Sequence, residues 1–263
     1  MVSVLCSLGA ILQTFKVRGR VRNNLMITIR MPESIHQVDV PIEGGSCHGR
    51  WHFSFDRYYD PEWVRFGTLR VFNDDTLTPG AVWPLHPHRE IEVVTYCAAG
   101  EFRHADENGE GGVLKEGWVQ HTTVGRGMWH SEINNRKDRP MRFVQMWYVP
   151  SAPGLVPSVE QKAVEKADRT NRFLPLISND DREALTILSD ARVLASFLEA
   201  GQTISHPLGE HRGAYLSVLG GGPVRIEGKT IPALGAARIE DEPAVTVRAN
   251  GDAELLLTDV LLL

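Results

Sequence analysis

Two short runs concentrate the metal-ligating side chains of the sequence: His86-Pro-His88, with Glu92 four residues beyond, and His130-Ser-Glu132. In an extended segment residues i and i+2 point to one face, so His86 pairs with His88, and His130 with Glu132, as two pincers. Brought together inside a β structure, they surround one point with three neutral imidazoles and one carboxylate. That donor set suits a divalent transition ion such as Fe, Ni, Co, Mn, Cu or Zn, because it contains no thiolate to demand a soft metal. Four protein ligands on an ion that takes about five or six leave room for water, substrate or dioxygen. An isolated His-x-His would be weak evidence in a chain with 10 His. The weight comes from the second pair and from the glycine turns next to both, Gly80 and Gly125-Arg-Gly127. Glu92 shares a face with the first pincer and is the rival to Glu132 as oxygen ligand. His104 and His121 stand alone and read as surface or hydrogen-bonded histidines. His206 and His211 are five apart, which no single strand face accommodates, and no later pair completes a set. One metal per chain is expected.

The elements that must position these residues are strands. From Ile27 to Tyr148, β-branched and aromatic runs such as Phe66–Phe72 and Ile91–Tyr96 alternate with turn signals, among them Asn73-Asp-Asp75, Pro79-Gly80 and the stretch from Asp106 to Gly112. This is the pattern of an all-β sandwich or barrel. The run Arg142–Val149 is apolar on both faces, as in a strand buried on both sides. Three prolines and a glycine within Pro150–Pro157 mark a boundary, so residues 26–150 form one domain and 173–263 a second. Between them, Val159–Arg172 has helix-compatible composition, with an extended arm as the alternative. Strand patterns return at Ala214–Leu219, Val224–Ile226, Ala236–Ile239, Ala244–Val247 and Glu254–Val260. Residues 1–25, with Lys16, Arg18, Arg20 and Arg22 after an apolar run, read as an N-terminal appendage and as a poor signal peptide.

Composition narrows the function. With 42% apolar and 23% charged residues the chain is of ordinary globular make-up, not disordered. A net charge of −5 gives no general attraction to nucleic acid or to an anionic membrane surface. No run of about 18 apolar residues offers a spanning helix. Cys6, Cys47 and Cys97 are too few and scattered for a disulfide framework, which places the chain in a reducing, cytoplasmic compartment.

The spacing Gly80-x5-His86-x-His88-x3-Glu92, followed by Gly127-x2-His130-x3-Asn134, is similar to the two cupin motifs. The fuller text resembles the pirin family of bicupins through Phe53-Ser-Phe-Asp-Arg-Tyr-Tyr-Asp-Pro61, Leu69-Arg-Val-Phe-Asn-Asp-Asp75, His86-Pro-His-Arg89, Glu92-Val-Val-Thr-Tyr96, Gly125-Arg-Gly127 and His130-Ser-Glu132. The second domain resembles it more weakly, through Gly213-Ala-Tyr-Leu216, Gly220 and Glu254-Leu-Leu-Leu257. The resemblance implies two tandem cupin barrels, or double-stranded β-helices, the second without metal. It implies His86, His88, His130 and Glu132 as ligands of one divalent ion, Fe(II) foremost, with Glu92 displaced from ligation. Proteins similar to this one include quercetin 2,3-dioxygenases, which open a flavonol with dioxygen and release carbon monoxide. Glu132 would then accept the proton of a flavonol hydroxyl, and aromatics from Trp51–Phe55, Trp129 and Trp147 would line the site. The alternative from the same resemblance is a metal-dependent regulatory module that binds a transcription factor or a metabolic enzyme. Residues 1–25 carry neither strand pattern nor ligands, so their deletion is expected to leave melting temperature and metal content unchanged, as calorimetry and elemental analysis would show.

Overall fold

The computed structural model describes residues 26–107, 109 and 111–262, and the appendage 1–25 lies outside them. The first strand, β1 (Met26–Arg30), precedes β2 (His36–Ile42), β3 (Gly45–Trp51), β4 (Leu69–Leu77), β5 (Val82–His88), β6 (Glu92–Ala99), β7 (Glu101–Asp106), β8 (Val113–Lys115), β9 (Val119–Thr123), β10 (Met128–Asn134) and β11 (Met141–Tyr148). Then β12 (Ser158–Lys162) leads to β13 (Leu174–Ser178), β14 (Leu185–Thr186), β15 (Ala191–Leu198), β16 (Thr203–Pro207), β17 (Arg212–Gly221), β18 (Val224–Ile226), β19 (Lys229–Ile231), β20 (Ala236–Glu240), β21 (Ala244–Ala249) and β22 (Ala253–Leu261).

These strands build the expected pair of β domains. The first has the sheets β12-β9-β6-β11-β4-β3-β2 and β5-β10-β7-β8; the second has β1-β20-β17-β22-β15-β13-β14 and β16-β21-β18-β19. A shift of eleven in strand number brings the small sheets into the same order, together with β9, β6, β11 and β4 of the large one. The outermost strands are exchanged. Met26–Arg30, expected in the first domain, pairs antiparallel with β20 of the second, while Ser158–Lys162, from the segment between the domains, pairs with β9 of the first. Each covers an edge that would otherwise present unpaired backbone groups. The helix-compatible composition of Val159–Arg172 therefore does not produce an α-helix. Sheet-edge pairing overrides propensity there, and only a short 3-10 turn, Lys166–Arg169, follows.

The double-sided apolarity of β11 has a direct cause. Met141 and Phe143 join Cys47, Leu77, Cys97, Phe102 and Leu114 in the interior of the first barrel. Val144, Met146 and Tyr148 face the other way, into a cluster shared with Leu176, Ile177, Tyr215, Leu256 and Val260 of the second domain. Two polar pairs bridge this interdomain face: Tyr148 Oη lies 2.7 Å from Thr258 Oγ1, and His52 Nδ1 2.9 Å from Tyr215 Oη.

Glu92 belongs to this face and not to the metal face. Glu90, in the left-handed region at φ 55°, turns the chain between β5 and β6, and its carboxylate takes the Gly154 N–H. The strand resumes with Glu92 fully buried against the second domain, where its Oε1 accepts from Leu188 N (2.9 Å) and its Oε2 from Ser189 N (2.6 Å). His121 Nε2 lies 3.2 Å from the same Oε1. The shared face expected for Glu92 and the first pincer is thus corrected.

Two outcomes follow. Glu92→Ala strips Leu188, Ser189 and His121 of their acceptor and should cost roughly 3–5 kcal/mol in chemical denaturation while metal content stays at the wild-type value. His52 is held well below the usual imidazole range, by burial first and then by Arg30, Arg142 and Arg50. The unfolded chain takes up a proton there below about pH 6.5 and the folded one does not, so stability falls as pH drops through that value. Denaturation followed against pH should show His52→Gln lowering this acid-side slope, on the order of 1 kcal/mol per pH unit.

Candidate metal centre

The two pincers meet across the small sheet of the first domain. Strand β10 pairs antiparallel with β5 so that His130 stands opposite His86 and Met128 opposite His88. A bulge follows, with Glu132 opposite Trp83, so that β5 carries an extra residue between Trp83 and His86. Pro84 and Pro87 are tolerated because β5 is the edge strand of its sheet. The ligand atoms of His86, His88 and His130 all lie within 4.8 Å of one another, and their ring centroids are 4.6 to 4.9 Å apart.

The histidines fit a metal on their hydrogen bonding. His86 Nδ1 lies 2.7 Å from the carbonyl oxygen of Pro84, which can only accept, so the neutral ring carries its proton on Nδ1 and leaves Nε2 as a lone pair. Nε2 of His88 and Nε2 of His130 are buried without any hydrogen-bond partner. Ordinary core histidines would leave both atoms unsatisfied, at about 1–3 kcal/mol each, whereas a shared cation completes them. Burial, and then the neighbouring imidazoles, push His130 down to about 2; burial and His86 push His88 down to about 4. Both rings are therefore neutral donors at neutral pH.

Glu132 faces the same interior two residues on, but its carboxylate lies outside the 4.8 Å set. Its Oε1 accepts from Gln145 Nε2, and Gln145 Oε1 in turn accepts from the Trp147 indole N–H at 2.7 Å. Burial raises the pKa of Glu132, while His86 and the Gln145 hydrogen bond act in the opposite direction. Of the expected aromatics, Trp147 packs edge-on to His88 at 4.7 Å, Phe55 against Trp147 at 5.3 Å and Trp51 against Phe55 at 5.0 Å. Phe53 instead lies in the interdomain cluster. Trp129, 48% exposed, forms the rim of a 500 Å³ recess with Pro87, His88, Arg89, Glu107 and Met128.

Gln145 escaped sequence reasoning. The alternation along β11 places Gln145 on the barrel face beside Phe143 and Trp147, which was the available signal. Of the two readings for His104, surface or hydrogen-bonded, the second holds: it is buried, with Nε2 2.9 Å from His130 Nδ1. His121 is likewise buried, on Glu92.

The second domain has no counterpart to this cluster among its described residues. At the corresponding pair of strands, β16 and β21, Ile204 stands opposite Val247 and His206 opposite Val245. Both valines lie in the apolar core, and His206 Nε2 is 2.9 Å from Asp259 Oδ2, which also receives Arg192. Elemental analysis should accordingly find one metal equivalent in the wild type and none in His88→Ala; an equivalent surviving that change would have to sit outside this cluster.

Comparison with known proteins places the chain. The Pirin family model matches residues 35–148, and the model for the quercetinase C-terminal cupin domain matches residues 176–260. A pirin-like protein of Caulobacter vibrioides is 40% identical over 222 residues, covering 82% of this chain and 95% of that one. A quercetin 2,3-dioxygenase of Escherichia coli is 31% identical over 222 residues, 82% of this chain and 94% of that one. The crystal structure of the bacterial pirin YhhW from Escherichia coli, in complex with nickel(II), superposes with a TM-score of 0.82 at 29% identity and covers 90% of this chain and 100% of that one. Both barrels are matched in order and the relatives are spanned almost whole: the chain belongs to the pirin family of two-domain cupins.

Proposed function

We propose that this protein is a metal-dependent dioxygenase that opens flavonols such as quercetin, with two oxygen atoms entering the product and one carbon leaving as carbon monoxide. The observation that carries the reading is the convergence of three imidazoles, two of them with buried unpartnered Nε2 atoms, beside a carboxylate that lies outside their convergent set and accepts from Gln145. A divalent ion at the three nitrogens, Fe(II) in this reading with Ni, Zn, Co, Mn or Cu as alternatives, would supply Lewis acidity that favours the ionised form of a substrate hydroxyl.

The chain's own groups do the rest. Glu132 receives one hydrogen bond from Gln145, which orients the carboxylate to take the hydroxyl proton. Trp147 supports a flat aromatic ring beside His88 and fixes the Gln145 amide through its indole N–H. The recess by His88 shares Glu107, Gly127 and Met128 with a 990 Å³ cleft that Arg126 and strand β12 also line. Both volumes lie in the range of small-molecule sites, roughly 300–1,000 Å³. Among the described residues no helix is long and apolar enough to cross a membrane. The free buried thiols of Cys47 and Cys97 support the cytoplasmic placement, and the net charge of −5 supports a small-molecule substrate over nucleic acid.

The test is aerobic turnover of quercetin by protein restored with each metal, read as oxygen uptake and carbon monoxide release. Glu132→Gln should keep its metal yet lose about 10²- to 10⁴-fold in rate, the usual contribution of a positioned acid–base group, and Glu92→Gln should lose far less. If the metal-replete wild type turns over no flavonol, the dioxygenase reading fails and the metal-dependent binding module takes its place.

A further inference from the structure

His104 is the buried imidazole at the metal centre to which the proposed reaction gives no task. It sits on β7, directly across from Glu132 of β10, and is 1% exposed. Its Nε2 lies 2.9 Å from His130 Nδ1, with the rings 5.0 Å apart and inclined at 65°. The far nitrogens of the pair, His104 Nδ1 and His130 Nε2, are both buried without a hydrogen-bond partner.

A hydrogen bond between two neutral imidazoles holds one proton, and the two ways of placing it have different consequences. If His104 donates, His130 accepts at Nδ1 and must carry its own proton on Nε2, the atom that joins His86 and His88. That hydrogen closes the position to a cation. If His130 donates from Nδ1, its Nε2 presents a lone pair, His104 accepts through Nε2, and His104 keeps its proton on Nδ1. Only the second arrangement makes His130 a ligand. The same device operates at His86, where the Pro84 carbonyl fixes the proton on Nδ1. There the acceptor is backbone; at His130 it is a side chain, and so it can be changed.

We propose that His104 is a positioning residue of the centre, accepting a hydrogen bond from His130 Nδ1 and so holding that ring in the tautomer and orientation that aim Nε2 at the ion. This rests on the metal-centre reading above. His104 is not a further ligand, because its Nε2 is engaged by His130 and neither of its nitrogens belongs to the convergent set. Outer-sphere acceptors of this kind typically carry about 10- to 100-fold in metal affinity.

The experiment uses the full chain and Zn(II) alone. In Zn(II)-loaded wild type with 15N-labelled histidine, long-range 1H–15N correlations should show His130 and His104 each protonated on Nδ1. Competition with a chromogenic chelator should show His104→Phe binding Zn(II) about 10- to 100-fold more weakly. His104→Gln keeps an acceptor oxygen and should stay within about threefold of wild type, a rescue that sets the acceptor role apart from mere packing. His104 protonated on Nε2 in the loaded protein, or His104→Phe binding as tightly as wild type, overturns the proposal, and the correlations on the wild type decide it even if the Phe variant does not fold. A wild type that takes up no Zn(II) removes the metal centre itself; one that does, with His104 protonated on Nε2, removes only the positioning role.

Discussion

The central strands of the first large sheet serve two interiors at once, and this constraint fixes everything around the metal centre. In β11, Phe143, Gln145 and Trp147 face the barrel while Val144, Met146 and Tyr148 face the second domain. In β6, Cys97 faces the barrel while Glu92, Val94 and Tyr96 face outwards. Side chains alternate with period two, so a slip of one residue would carry Glu92 into the barrel and Gln145 to the interface. The partners on the outer face forbid it. The Glu92 carboxylate on Leu188 and Ser189, and the Tyr148 hydroxyl beside Thr258, need this register, and by holding it they set the face on which Gln145 and Trp147 appear.

What could be read from residue order alone was local. The i, i+2 spacing within β5 and within β10 puts each pair of side chains on one face whatever surrounds the strands, and the structure brings His86, His88 and His130 together. The face of Glu92 was not legible from its even spacing to His86. Parity holds only along a continuous strand, and the left-handed turn at Glu90 interrupts it. The partner of His104 depends on the register of β7 against β10, two segments with more than 20 residues between their histidines. The exchange of β1 and β12 was equally hidden, because the partner of an edge strand is settled by which sheet edge lies open, a tertiary matter. Within 158–162 an outer strand and a helix draw on similar residues, and pairing with β9 decided between them.

Around Glu132 and His86 the hydrogen bonds run in a determined direction. An indole nitrogen can only donate, so Trp147 requires the Gln145 oxygen, and the Gln145 nitrogen must then turn to Glu132. A carboxylate that receives a donor is steadied in its ionised form against the burial that opposes it. The Pro84 carbonyl acts at His86 in the converse sense, as an acceptor that leaves the opposite nitrogen bare. Backbone and side chains together thus settle proton positions before any ligand arrives, which is preorganisation in the sense that matters for proton transfer.

The second domain repeats the strand order of the first without repeating its chemistry. Val245 and Val247 fill the barrel at the strand pair that carries His86, His88 and His130 in the first, and His206 is drawn to Asp259, whose carboxylate also takes Arg192 and Arg212. Its contribution to the centre is mechanical and acts from outside. The loop at Leu188–Ser189 grips β6 through Glu92, and Thr258 pairs with Tyr148 on β11. The arm between the domains closes on the turn before β10: Arg126 N donates to the Leu155 carbonyl, and a Cβ at Gly125 would lie 2.0 Å from that oxygen. Glycine is required there because the arm must approach this closely. The strand that bears His130 and Glu132 begins three residues later, so the point at which it enters the barrel is fixed by the segment that joins it to the second domain.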